Sequence, residues 1–254
     1  MRYFAELKYD GTAYCGWQRQ PDALTVQGTL EKALSTLLRT PVETVGAGRT
    51  DTGVHAAYYV AHFDSPGPID DHERFLYKLN MILPEDIAVD SIAPVGEDAH
   101  ARFSAVEREY VYIIERRKNP HTRHGSWQYY VPLDVARMNE AAALLCTFDD
   151  FTSFAKLNSN NKNNICRIVR ADWQQTGDTL RFTIRADRFL RNMVRAVVGT
   201  LVDVGRGRLT VSDFADIIAA KDLSRSSGGA PARGLFLNDV KYPDEIFVRR
   251  TARR

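Results

Sequence analysis

The chain has 254 residues, 44% hydrophobic and 10% aromatic, with 34 Lys and Arg against 32 Asp and Glu for a net charge of +2. That is apolar material for one large core or two modest ones, and 16 Gly with 10 Pro exclude collagen-like and linker-like sequences. No apolar run reaches the roughly 18 residues of a membrane helix, and the opening MRYFAELKYDGTAY lacks the basic-then-apolar order of a secretory signal.

Residues 2–10 alternate, with Tyr3, Ala5, Leu7 and Tyr9 on one face, which predicts a half-buried strand ended by Asp10-Gly11. At Val26 the period changes. Val26, Leu30, Leu34, Leu37 and Leu38 form a helical stripe that stops before Pro41. A short strand over 42–45 leads into Gly46-Ala47-Gly48-Arg49-Thr50-Asp51-Thr52-Gly53-Val54-His55, and a strand resumes over 57–63. Residues 74–83 read as a helix stopped by Pro84, and 87–95 as a strand.

A boundary near residue 105 divides the chain into an N-terminal α+β subdomain, 1–105, and a C-terminal one, 106–254. Beyond it, 109–117 is a Tyr-, Val- and Ile-rich strand. Helices are expected over 133–145 and 189–204, flanking a hairpin of 166–175 and 179–187. Thr210 with Asp213 marks the cap of a helix running to about Ala220, and 235–242 closes as a strand. The order is not a strict βαβ alternation, which favours an α+β fold of mostly antiparallel sheet with helices packed on one side.

The three cysteines, Cys15, Cys146 and Cys166, are odd in number, widely spaced and form no CxxC, so the sequence indicates neither a disulfide framework nor structural zinc. A reducing cytoplasm is the expected compartment. Charge is polarised. Residues 1–127 carry 14 basic and 18 acidic side chains, and residues 128–254 carry 20 and 14. Between Arg181 and Arg208 there are seven Arg and only two acidic residues, Asp187 and Asp203. Such a stretch suits either a polyanionic partner or a solvated helix face.

The glycine-flanked segment 46–55 lies between strands, where reactive groups are often displayed, and its glycines permit positive φ and close approach to a ligand. It carries one guanidinium, Arg49, and one carboxylate, Asp51. Arg49-Thr50-Asp51 after Gly48 is not the Gly-Lys-Ser/Thr ending of a phosphate loop, and no helix follows as a dinucleotide fingerprint requires. A plain structural turn fits the pattern equally well. Asp51, His55, His62 and Asp64 are potential metal ligands, but the seven-residue spacing of the histidines on an alternating strand sets them on opposite faces; no metal site is expected. Lys118, His121, Arg123 and His124 lie beside Trp127 and Tyr129, a basic and aromatic mixture suited to RNA contact.

Asp10-Gly11-Thr12, Gly16-Trp17-Gln18-Arg19-Gln20, Thr25-Val26-Gln27-Gly28 and the 46–55 loop together resemble the tRNA pseudouridine synthase A family. The resemblance continues in order through Arg102-Phe103-Ser104-Ala105, Arg108-Glu109-Tyr110, 189–195, Val198-Gly199-Thr200, Ala230-Pro231-Ala232 and Gly234-Leu235. Departures are local: Asp187-Arg188 stands where the family usually has Asn-Gly, and 226–229 is atypical.

The resemblance implies a pseudouridine synthase fold, two subdomains forming one extended sheet with a central catalytic cleft. It also implies isomerisation of uridine to pseudouridine at tRNA nucleotides 38, 39 and 40 in the anticodon stem-loop, with no cofactor. Asp51 matches the catalytic aspartate, and a carboxylate can act as the nucleophile that holds one fragment while the base turns. Arg195 matches the active-site arginine, expected to pair with Asp51 and keep it charged against the cost of burial. Tyr110 matches the active-site tyrosine, Arg49 the arginine associated with displacing the target nucleotide, and Leu235 a residue lining the uracil pocket. A helix from Phe189 sets Arg188, Arg191 and Arg195 on one line for phosphate contact. Family members act as homodimers, with one tRNA reaching across both subunits. Two other readings compete: a noncatalytic RNA binder on the same fold, and a carboxylate glycosidase or nucleosidase, which needs a second acid not evident near Asp51.

Overall fold

In the computed structural model, which describes residues 1–156 and 163–247, the pattern of apolar positions becomes nine strands and five α-helices among those residues. In chain order they are β1 (Arg2–Tyr9), α1 (Val26–Leu38), β2 (Thr44–Gly46), β3 (His55–Asp64), α2 (His72–Ile82), β4 (Ile87–Pro94) and β5 (Glu107–Glu115). Then come β6 (Trp127–Gln128), α3 (Val135–Leu144), β7 (Ile168–Thr176), β8 (Thr179–Ala186), α4 (Met193–Gly205), α5 (Val211–Ala220) and β9 (Leu235–Lys241). The fold is α+β. The pairs β1–β3, β1–β4, β2–β3, β5–β8 and β7–β8 are antiparallel, and β5–β6 is parallel. No helix among the described residues is long and apolar enough to cross a membrane.

The chain forms two units, residues 1–106 with 237–254, and residues 107–236, so β9 from Leu237 onward groups with the N-terminal half. In the first unit the strand order is β4-β1-β3-β9, with β2 also on β3. Thr25 caps α1, its hydroxyl accepting the Gly28 N–H at 3.3 Å, and Arg39 ends that helix in the left-handed conformation at φ 55°. Asp71 caps α2 by accepting the Arg74 N–H at 2.9 Å. Tyr3, Ala5, Leu7 and Tyr9 are buried as their alternation predicts, yet Phe4 is buried too. Both faces of β1 are therefore covered. On one, Tyr3 stacks on Phe63, and Phe63 on Phe75 of α2. On the other, Phe4 meets the rings of His62, Tyr242 and Phe247. The returning C-terminal segment supplies that second cover, which local periodicity cannot show.

In the second unit β5 pairs with β8, and β8 with β7 through the Gly177-Asp178 turn. Helix α3 packs on β7, and α3, α4 and α5 pack together. Every residue of α4 is buried except Arg195 and Asp203, so α4 is enclosed all round rather than along one stripe. Thr210 and Asp213 form the predicted reciprocal cap of α5: Asp213 N–H donates to Thr210 Oγ1 at 3.0 Å and Thr210 N–H to Asp213 Oδ2 at 2.7 Å.

One helix starts later than its apolar periodicity predicts. Asn192 sits in the left-handed region at φ 64° and α4 begins at Met193. Arg188 and Arg191 therefore lie in the bend before the helix, and the expected helical line of Arg188, Arg191 and Arg195 does not exist.

Candidate active site

The 46–55 loop is held by the segment after β1. Trp17 N–H donates to the Thr50 carbonyl at 3.2 Å and Gly53 N–H to the Tyr14 carbonyl at 3.3 Å. The Tyr9 hydroxyl hydrogen-bonds Thr50 Oγ1 at 2.9 Å in a buried position. Gly11 N–H donates to His55 Nδ1 at 3.1 Å. Gly16 has φ +86°, and a β-carbon there would stand 2.3 Å from the Thr50 oxygen. A β-carbon at Gly11 would stand 2.0 Å from the Val54 oxygen. These two glycines are where one loop passes against the other.

Below the loop, the Trp17 and Tyr59 rings lie 4.2 Å apart between centroids. Tyr59 donates its hydroxyl to the Gly48 carbonyl, and Ala47 N–H donates to the Val60 carbonyl at 2.8 Å. Gly46 is required because a β-carbon would collide with Tyr59 and Trp17. Of the three loop glycines expected to relieve backbone strain, only Gly53 has positive φ, +74°. It occupies the third position of a turn in which Val54 N–H donates to the Asp51 carbonyl at 3.1 Å. On this fixed bend Asp51 is half-buried and Arg49 exposed.

His55 and His62 are both buried, and His62 Nδ1 accepts the Ala101 N–H at 3.0 Å. Among the described residues no group of three or more metal-capable side chains is assembled.

In the second unit, Tyr110 of β5 lies opposite Ile184 of β8 and is half-buried, with Phe189 edge-on to its ring at 5.1 Å and 89°. Two residues on, buried Tyr112 donates its hydroxyl to the Pro231 carbonyl at 2.7 Å, and burial pushes that phenol's pKa well up. Arg195, in the first turn of α4, is tied to the segment before β9 from both sides. Its Nε donates to the Ala230 carbonyl at 2.6 Å, and the Ala230 N–H donates to the Arg195 carbonyl at 2.9 Å. Gly199 lets that segment approach, since a β-carbon there would stand 2.2 Å from the Gly228 oxygen. Ser227 fixes the same segment through its hydroxyl to Asp203 at 2.7 Å and its N–H to Thr200 Oγ1 at 3.2 Å.

Leu235 is buried at the start of β9, after Gly234, where a β-carbon would press on the Tyr112 ring. Arg191 is exposed; Arg188 is partly exposed and donates to Asn163 Oδ1 at 3.3 Å. Lys118, His121, Arg123 and His124 are exposed around a short turn in which Asn119 accepts the His121 N–H at 3.0 Å. Trp127 and Tyr129 beside it are only partly exposed, edge to face at 4.7 Å. The Gly16-Trp17 and Ala230-Pro231 motifs carry no role that the sequence alone reveals. Their role is to position the loop of Asp51 and the guanidinium of Arg195. The Tyr9 and Tyr59 supports went unnoticed, hidden as ordinary strand aromatics.

A carboxylate on a rigid bend, and in the other unit a half-buried guanidinium and phenol, are groups suited to covalent or acid–base work on a polyanionic substrate. The family of tRNA pseudouridine synthases matches this chain over residues 5–104 and 141–243. A tRNA pseudouridine synthase A from Parabacteroides distasonis is 52% identical over 246 residues, covering 97% of this chain and 98% of that protein. The Bacteroides fragilis protein of that name is 51% identical, covering 97% and 98%, and the Bacillus subtilis one 41%, covering 95% and 99%. The chain belongs to the tRNA pseudouridine synthase A family, and pseudouridine synthases are isomerases.

Proposed function

We propose that this protein converts uridine to pseudouridine at nucleotides 38, 39 and 40 of the tRNA anticodon stem-loop, with the Asp51 carboxylate as nucleophile and no cofactor. The observation that carries the reading is the placement of Asp51, half-buried on a bend whose neighbouring backbone is pinned by Tyr14 and Trp17.

The reaction breaks the N1–C1′ bond, rotates the uracil, forms C5–C1′, loses the C5 proton and leaves a proton on N1. A carboxylate supports this by attack at C1′, by attack at C6, or by assisting a glycal route. Tyr110 stacks on the extracted uracil and brings its hydroxyl toward the departing C5 proton. Arg195 supplies the positive charge that favours an ionised nucleophile, and Leu235 lines the uracil pocket. Arg49 stabilises the vacancy left by the flipped nucleotide, whose extraction costs a few kcal/mol. Arg188 and Arg191 contact phosphate, as does the basic turn at 118–124. The protein acts as a homodimer in the cytoplasm, where its free thiols at Cys15, Cys146 and Cys166 stay reduced.

Tritium release from tRNA carrying C5-labelled uridine tests the reading. The native chain releases label, Asp51→Ala does not, and replacing the uridines at 38–40 with cytidine abolishes release. Asp51→Asn binds tRNA at least as well as native, having lost a charge that repels phosphate. Equal release by Asp51→Ala would remove the nucleophile assignment, and undiminished release from the cytidine-substituted tRNA would remove the site assignment.

A further inference from the structure

The segment Arg102-Phe103-Ser104-Ala105 takes no part in the chemistry above, yet it is among the most deliberately built turns of the first unit. His100 Nδ1 accepts the N–H of Arg102 at 3.1 Å and of Phe103 at 3.3 Å. The Ser104 N–H donates to the His100 carbonyl at 2.9 Å, and the Ser104 hydroxyl accepts the His100 N–H at 3.0 Å. Beneath, His62 accepts the Ala101 N–H and its ring meets that of His100 edge to face at 4.8 Å. Burial and the positive charge of Arg2 lower the pKa of both imidazoles, favouring the neutral form that an accepting Nδ1 requires.

The product of this scaffolding is a displayed aromatic ring. Phe103 is 76% exposed, the Arg102 guanidinium lies 5.6 Å from its ring centroid, and the His100 ring lies 4.4 Å away. An isolated exposed Phe is unremarkable. One fixed by a hydrogen-bonded histidine and paired with a guanidinium has the composition of a platform for single-stranded nucleic acid, where a flat ring meets a base and a cation meets its phosphate.

We propose that Phe103 and Arg102 form a stacking platform for one unpaired nucleobase of the RNA substrate, a base other than the reacting uridine. The inference rests on the RNA reading above. It favours RNA over a protein partner because the exposed ring is held between a guanidinium and an imidazole, the pairing that suits a base with its phosphate.

The test compares native protein, Phe103→Leu, Phe103→Trp and Arg102→Gln in binding whole tRNA and a short uridine oligomer. Phe103→Leu weakens both about tenfold, within the span measured for one base–aromatic stack, while its melting temperature stays native because the ring is exposed. Phe103→Trp restores affinity, and its added indole emission falls on binding the oligomer but not a fully paired duplex. Arg102→Gln lowers the salt dependence of binding by about one counterion, whereas Phe103→Leu leaves that slope unchanged. Native affinity in Phe103→Leu overturns the platform, as does unquenched emission from Phe103→Trp with oligomer bound. So does altered self-association of Phe103→Leu with RNA affinity intact. Failure of the RNA reading is seen separately, as a native chain that neither binds tRNA nor releases tritium.

Discussion

A β-carbon on Gly16 would stand 2.3 Å from the carbonyl oxygen of Thr50, the residue immediately before Asp51. The same oxygen accepts the Trp17 N–H at 3.2 Å. The position of the candidate nucleophile is thus set by a backbone-to-backbone contact that admits only glycine, which must also hold φ at +86°.

Gly16→Ala is therefore expected to lower stability by about 1–3 kcal/mol, combining strain and overpacking, and to reduce tritium release more than tRNA binding. Gly48→Ala is the control: nothing lies within 4 Å of the added carbon and its φ is ordinary. Urea unfolding of the two variants checks this; equal stabilities would mean the contact yields without cost.

Arg195→Lys keeps the charge but not the geometry. Arg195 donates Nε to the Ala230 carbonyl, and its planar fork offers several donors in fixed directions. Lysine has a single nitrogen. Turnover is expected to fall about tenfold or more, a rise of at least about 1.4 kcal/mol in the barrier, with near-native tRNA affinity. Native turnover in this variant would show that charge alone suffices.

Stability is expected to fall on acidification in a defined window. Burial, followed by the charges of Arg2 and His100, lowers the pKa of His62 from 6.5 to about 4. A neutral buried imidazole contributes stability that is complete above its unfolded pKa and is lost as pH falls through 6.5 toward about 4. His100 shifts in the same direction. In His62→Gln, whose amide oxygen can still accept the Ala101 N–H, the melting temperature should change less between these limits. Parallel curves for the two proteins would remove His62 as the source.

Thr210→Ala removes one half of the reciprocal cap on α5 and is expected to cost about 1 kcal/mol. Asp213→Ala should cost a similar amount. The double variant should lose less than the sum, because the two side chains bond one another as well as the backbone. Chemical denaturation of the three proteins measures the coupling.

The strands and helices were legible because each has a local cause: the alternation of β1, the Thr25 and Thr210 caps, the stops at Pro41 and Pro84. The start of α4 was not. Phe189 and Leu190 continue its apolar period, but Asn192 turns left-handed, and no periodicity reports a single φ. The loop of Asp51 stood out through its glycines, although two of the three serve purposes other than positive φ or none that packing reveals. What holds the loop and Arg195 in place comes from distant residues, Tyr9, Trp17, Tyr59 and Ala230. Such long-range contacts leave no spacing signature.

The hydrogen bond from Arg195 Nε to the Ala230 carbonyl carries an energetic consequence. An unrestrained arginine gives up about 2 kcal/mol of rotamer entropy when a ligand freezes it. With Nε already anchored, much of that loss has occurred during folding, so an anion meeting this guanidinium gains nearly the full strength of the contact.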